Sequence, residues 1–220
     1  MTAAAGGGAM GRAEGTVLAA GVLAALVVSG IGPYDRLTWV LEVIWVLVGL
    51  PLAVLTRRVF PLTPLLYRLM ALHAVVLVVG GHYTYARVPL GLWVADWFDL
   101  ARNHYDRLGH FLQGFVPAIL VREILSRRSP LRGSAWLGPL TVACCLAFSA
   151  FFEFIEWWSA LVYGAAADSF LATQGDPWDT QWDMFLAFVG ATLAVATLGR
   201  VHDRQMARLE GGGVSRAAAP

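Results

Sequence analysis

The chain has 220 residues, of which 58% are hydrophobic and 14% charged, with a formal net charge of +1. Soluble domains are roughly 45–50% apolar and about 25% charged, so a water-soluble globule is excluded, and no basic block offers a footprint for nucleic acid. The apolar excess is gathered in long runs, and about 20 such residues span a membrane, so the first partner is the lipid bilayer.

Residues 1–15 are rich in Gly and Ala and lack periodicity, the composition of a disordered tail. The first apolar run is Thr16 to Gly32. Its flank is weakly basic, carries Glu14, and no convincing A-x-A site follows, so a retained helix is expected rather than a cleaved signal peptide. The second run, about Thr38 to Leu55, is closed by Arg57 and Arg58, and the third is Leu65 to Tyr83. A polar stretch follows, with Arg87, Asp96, Asp99, Arg102 and His104, and Asp96–Asn103 is a candidate cover folding back over the neighbouring helix ends. The fourth run is about Tyr105 to Leu125, followed by Arg127, Arg128 and Arg132, and the fifth is about Ala135 to Trp158. Cys144 and Cys145, adjacent within it, read as small packing residues. Ser159 to Trp182 is a long connection. Its 160–172 part fits a half-helix at the interface, and Asp176-Pro177 reads as an N-cap with proline at the first helical position. The sixth run is about Asp183 to Leu198, ending at Arg200. The 201–220 tail carries further arginines, and its last ten residues are again Gly/Ala-rich.

The expected fold is therefore all-α, a polytopic bundle of six transmembrane helices forming one domain over residues 16–200. No internal repeat is evident, so an inverted-repeat transporter is not supported. Basic residues in short loops mark the cytoplasmic side. Arg57 and Arg58, then Arg127, Arg128 and Arg132, then Arg200, Arg204, Arg208 and Arg216 fall on one side, and the acidic loops on the other. Both termini are expected in the cytoplasm and the acidic loops outside, where Trp93, Trp97, Trp157, Trp158, Trp178 and Trp182 match an interfacial aromatic belt.

On that outer side three helix ends converge. Asp106 and His110, four apart, share a face at the start of run four. Gln113 continues along it. Glu153 and Glu156 lie three apart at the end of run five, and Asp179 and Asp183 lie at the start of run six. The helix dipole accounts for a carboxylate at a helix start but disfavours one at a C-terminal end, and a charge inside an apolar run needs a partner or a wet cavity. Glu153 and Glu156 therefore require compensation by Arg107, Arg102, a protonated His110, a bound metal or their own protonation. Imidazole with carboxylates suits Zn²⁺, Mn²⁺ or Fe. The candidate ligands are His104, His110, Asp106, Glu156, Asp179 and Asp183, although His104 would have to reach in from the loop and no H-E-x-x-H spacing is present. Glu153, Glu156, Asp106 and His110 are the candidate catalytic groups. Without metal, paired carboxylates still serve acid–base chemistry when one is held protonated, or relay protons in a transporter. Glu42, His73 and His82 are weaker signals, and His202 reads as part of the basic orientation signal.

Four motifs in order carry a resemblance: His82-Tyr83-Thr84-Tyr85-Ala86-Arg87-Val88-Pro89-Leu90-Gly91, Arg102-Asn103-His104-Tyr105-Asp106-Arg107-Leu108-Gly109-His110-Phe111, Glu153-Phe154-Ile155-Glu156-Trp157-Trp158, and Thr173-Gln174-Gly175-Asp176-Pro177-Trp178-Asp179-Thr180-Gln181-Trp182-Asp183-Met184. Over about residues 30–200 the chain resembles the YjdF-like family of bacterial inner-membrane proteins, a domain of unknown function. It is more distantly similar to VanZ-like membrane proteins, which also pair an Asp-x-x-x-His helix start with later acidic positions. The resemblance implies an integral inner-membrane protein and assigns no catalytic residues. Three functions stay open: an outward-facing enzyme site for a polar or lipid-linked small molecule, a proton-coupled transporter, and a structural or partner-binding protein whose cluster is an ion-pair network.

Overall fold

The computed structural model describes residues 8–217, with side chains through Gly211; the first seven residues of the expected N-terminal tail lie outside the described residues. Eight α-helices follow one another, and six are long and apolar enough to cross a membrane. These are α1 (Arg12–Ser29), α2 (Arg36–Thr56), α3 (Pro64–Tyr83), α5 (Tyr105–Arg128), α6 (Leu137–Tyr163) and α8 (Asp179–Ala217). The short α4 (Pro89–Phe98) and α7 (Asp168–Leu171), with 3₁₀ turns at Tyr85–Arg87 and Gly164–Ala167, lie in the connections.

Local chemistry sets the boundaries. Asp35 caps α2, its carboxylate accepting from the Thr38 N–H at 2.7 Å. Thr63 caps α3, with Pro64 in the first turn where its missing N–H costs nothing. Arg127 and Arg128 sit in the last turn of α5, where the dipole favours cations. The ends differ from expectation in three places. Residues 12–15 are helical rather than tail, and α8 runs on through Ala217 instead of stopping at Arg200. At about 1.5 Å per residue, the 39 residues of α8 are roughly 58 Å long, well beyond a hydrocarbon core of about 30 Å. Asp176 does not cap a helix that opens at Pro177. It accepts from the Trp178 N–H at 2.9 Å in a turn, and α8 starts at Asp179.

The polar stretch after α3 contains a helix that composition concealed. α4 is too short to span a membrane. It sets Gly91 and Ala95 against the protein and leaves Leu90, Trp93 and Trp97, at i, i+3 and i+7, exposed along one stripe. That amphipathic pattern suits a helix lying in the membrane interface.

Helices α1 and α2 pack on α3 around Val22, Leu26, Val43, Val46, Ala74 and Val78. Helices α5, α6 and α8 pack around Ala118, Ile119, Cys145, Ala191 and Ala194. The two groups meet where α3 crosses α5, tied by the Tyr105 hydroxyl donating to the Val76 carbonyl at 3.0 Å.

The tightest contact is between α5 and α8. A Cβ at Gly114 would strike the Ala187 carbonyl, and one at Gly190 would strike the Phe111 carbonyl. Ala187, Ala191 and Ala194 are fully buried along the same seam. Small residues let membrane helices approach to backbone contact, which is how packing replaces the missing hydrophobic driving force.

Towards one end of this pair lies a closed polar network. Glu123 is fully buried and accepts from the Thr63 hydroxyl (2.8 Å), the Thr63 N–H (3.1 Å) and Arg127 (2.7 Å). His202, also fully buried, has Nε2 2.9 Å from Glu123. Arg122 donates to His202 Nδ1 at 3.2 Å and to Asp203 at 2.9 Å. An arginine only donates, so Nδ1 accepts and the Nε2–H points at Glu123. His202 is thus a structural member of the α3–α5–α8 junction, not merely an orientation signal.

Two outcomes follow for purified protein in detergent. Gly190→Leu lowers the apparent melting temperature or abolishes monodisperse protein, overpacking costing about 1–3 kcal/mol or more; Gly21→Leu, into open space, leaves the thermal profile unchanged. Glu123→Ala destabilises by about 3–5 kcal/mol, the range for breaking a buried ion pair, as read by thermal unfolding; an unshifted midpoint would show that the network does not hold the helices.

Candidate functional site

The opposite end of the same helix pair carries a second polar cluster, built differently. The first two turns of α5 present Asp106 and His110, with His110 Nε2 3.6 Å from the Asp106 carboxylate. From α8, Asp183 reaches 3.9 Å from the same nitrogen. From α6, Glu153 lies 4.0 Å from His110 Nδ1. All four side chains are buried, and the edge of Phe152 packs against the imidazole. Asp106, His110 and Asp183 each offer one ligand atom within 4.8 Å of the others.

These separations exceed hydrogen-bond length. Asp106 Oδ2, Asp183 Oδ1, both Glu153 oxygens, His110 Nδ1, Gln113 Oε1 and Ser149 Oγ have no hydrogen-bond partner among the described residues. At least 90% of buried polar groups in folded proteins are paired, and an orphan costs about 1–3 kcal/mol. A concentration of orphans at one point, in a chain whose other buried cluster is fully bonded, marks a place built to hold something.

The remaining candidates lie outside the three-residue group. Asp179 is buried but taken by Arg102 at 2.7 Å. His104, at the N-terminal edge of α5, accepts from Arg107 at 3.2 Å through Nδ1. Burial, then the guanidiniums of Arg107 and Arg102, hold its pKa below the ordinary imidazole value, so it stays neutral. Glu156 sits one turn beyond Glu153 and is half-buried. Of the compensations left open for Glu153, the two arginines drop out: Arg107 pairs with Asp176 at 2.6 Å, and Arg102 spans Asp176 and Asp179. A carboxylate on α6 and an arginine on α5 share a membrane level without facing each other, which one-dimensional spacing does not reveal.

Those arginines form a latch over the cluster. Besides the ion pairs, Gln174 donates to the Asn103 carbonyl at 2.8 Å and accepts from its N–H at 3.0 Å, while the Asn103 side chain donates to the Ala86 and Val88 carbonyls. Of the 96–103 segment expected to fold back, the first part belongs to α4 and its exposed cap Asp99, and only Arg102 and Asn103 bind the 172–179 connection. Gln174 holds φ of 49° and Ala172 of 50°, left-handed values that are uncommon outside glycine.

Beneath the latch the cluster opens into a cavity of about 1560 Å³. Glu42, Tyr85, Asp106, His110 and Gln113 line its polar end; Arg12, Arg57 and Arg58 line the other. Burial, then the nearby Glu42, push the Tyr85 hydroxyl well above its ordinary pKa, which keeps it a neutral donor. Glu42 is 3% exposed. The membrane-cost argument that singled out Glu153 applies to it equally and was the available signal. His82 is bonded to the Ser29 carbonyl at 2.9 Å, a packing role, whereas His73 lines the cavity with Nε2 unpartnered among the described residues.

The family described as "Predicted membrane protein (DUF2238)" matches residues 15–204. The chain is also 52% identical over 183 residues to "Inner membrane protein YjdF" of Escherichia coli (strain K12), covering 83% of this chain and 88% of that protein. No solved structure matches. Both findings agree with the resemblance carried by the four motifs, and with six apolar helices they describe a multi-pass inner-membrane protein: the chain belongs to the DUF2238 family.

Proposed function

We propose that Asp106, His110 and Asp183 form a buried divalent-metal centre, with Glu153 beside it as the general base, acting on a polar or lipid-linked small molecule. The observation that carries this reading is that three buried carboxylates converge to 3.6–4.0 Å from one imidazole while each keeps an oxygen with no hydrogen-bond partner among the described residues. Three protein ligands with an open position is the pattern of catalytic rather than structural zinc, and one nitrogen with carboxylate oxygens also suits Mn²⁺ or Fe. A metal bound there lowers the pKa of a coordinated water or polarises a substrate oxygen. Glu153, off the shared His110 nitrogen and free of an arginine partner among the described residues, is placed to take up a proton.

The arginine distribution supports cytoplasmic termini and, with them, a centre in the outward half of the bundle. A proton-transport reading is less well supported. It needs a polar path through the membrane, and between its ends the cavity wall is mostly Val, Leu, Ala, Gly, Met, Phe, Pro and Cys, interrupted by His73 and the Trp45 indole. An ion-pair network with no ligand is disfavoured because the real ion pairs are in the latch, leaving His110, Glu153 and Asp183 unbonded.

Elemental analysis of detergent-purified protein gives near-stoichiometric divalent metal in the wild type. That metal is absent from His110→Ala and Asp183→Asn but retained in His104→Ala. Because the ligands bind only when deprotonated, retention falls as the buffer is acidified. Metal-free wild type, or metal retained equally in all three variants, would exclude the proposed centre.

A further inference from the structure

We propose that the 1560 Å³ cavity holds the hydrocarbon portion of one membrane lipid, which enters sideways between α2 and α6 and brings an ammonium-bearing head to the buried centre. This names the substrate class for the centre and rests on that reading for its chemistry, but not for its binding.

The cavity is larger than the roughly 300–1,000 Å³ of ordinary small-molecule sites. It is also elongated. Glu42, on α2, and Arg57, the cap just past its end, line opposite ends, and fifteen residues at the helical rise amount to about 22 Å, most of a hydrocarbon core of about 30 Å. Its middle is apolar, and a hydrocarbon chain satisfies such a wall where a column of water does not.

The packing order explains the entrance. Helices α1 and α2 pack on α3, α3 on α5, and α6 on α5, so the bundle is a C in cross-section. α2 and α6, at its two tips, hardly touch. At the level of the centre the tips are bridged by Trp45 against Phe148, at 4.9 Å between ring centroids, and against Phe152. Away from this bridge, Leu23 on α1, Val48 on α2 and Cys144 on α6 line the cavity and stay accessible, and the cavity is open rather than enclosed between these helices. On the aqueous side the Arg102–Asp179 and Arg107–Asp176 latch stands in the way. The centre is thus approached from the bilayer.

The head-group chemistry follows from what faces the polar end. Glu42, Asp106, His110 and Gln113 are at most 8% exposed, and Gln113 Oε1 and Asp106 Oδ2 have no partner among the described residues. These are acceptors. The nearby cations, Arg102 and Arg107, are engaged in the latch. A divalent metal would offset only the charge of its two carboxylate ligands, so Glu42 and Glu153 keep this end acidic and Gln113 Oε1 remains an open acceptor, which favours a cationic hydrogen-bond donor over a net-anionic head.

The test reconstitutes the protein into vesicles of equal parts phosphatidylethanolamine and phosphatidylglycerol, re-extracts it in mild detergent, and counts retained lipids by native mass spectrometry, with metal content read on the same samples. The wild type retains one lipid, enriched in phosphatidylethanolamine. Gly49→Phe, which projects a ring into the cavity from a position with open space, loses it while remaining monodisperse and metal-loaded. Ala53→Trp, further along the same wall, does the same if Gly49→Phe is poorly expressed. His110→Ala loses metal and keeps the lipid. Absence of metal from the wild type with lipid retained overturns the metal centre and supports this proposal. No retained lipid in the wild type, equal retention in the filled variants, or no preference between the two head groups overturns it.

Discussion

The backbone approach of α5 to α8 is the constraint on which the rest of the molecule depends. Gly114 and Gly190 are the positions where each helix meets the other's carbonyls, and no side chain fits between them. Because both helices run unbroken through that seam, it fixes the residues above and below it too. Asp106 and His110 are brought against Asp183 on one side, and Arg122 and Glu123 against His202 and Asp203 on the other. A bilayer supplies no hydrophobic pressure to force helices together, so steric fit of this kind, rather than apolar burial, assembles the polar clusters.

The two clusters are instructive as a pair because they share their helices and differ in satisfaction. Around Glu123 each carboxylate oxygen has at least one donor at hydrogen-bond distance, and the imidazole uses both nitrogens. Around His110 the same residue types stand 3.6–4.0 Å apart with oxygens unspent. Burial alone does not separate these cases, nor does charge. What separates them is whether the protein completes its own hydrogen bonds, since a low-dielectric interior penalises an incomplete network most heavily.

The six spans were legible because a run of about 20 apolar residues has few other uses. Asp106 with His110 was legible from helical spacing, and Glu153 from the cost of a carboxylate in an apolar run. α4 was not, because ten residues interrupted by Asp96 carry too little periodic signal to stand out beside full spans. Nor was the pairing of Arg102 and Arg107 with Asp176 and Asp179, which depends on how two distant loops fold over one another. Glu42 and Glu123 show that the membrane-cost argument was sound but applied too narrowly: both are buried acids in apolar helices, one facing a cavity and the other closing a junction. Sequence gives the cost of each buried charge, and only three dimensions show what offsets it.

Helices α5 and α8 are joined directly at the small-residue seam and the Glu123 junction, and the latch ties the start of each to the connection that precedes the other. A pair fastened at both ends and the middle has no easy tilt or twist left. Any breathing of the bundle must therefore come from the α1–α3 group and from α6, pivoting about α5 and α8 as a stator. Widening and narrowing the C in this way changes the gap at Trp45 while the spacing of Asp106, His110 and Asp183 stays constant. On the proposed reading, the gap at Trp45 and the base Glu153 on α6 ride on the moving parts, and the three proposed metal ligands ride on the fixed pair.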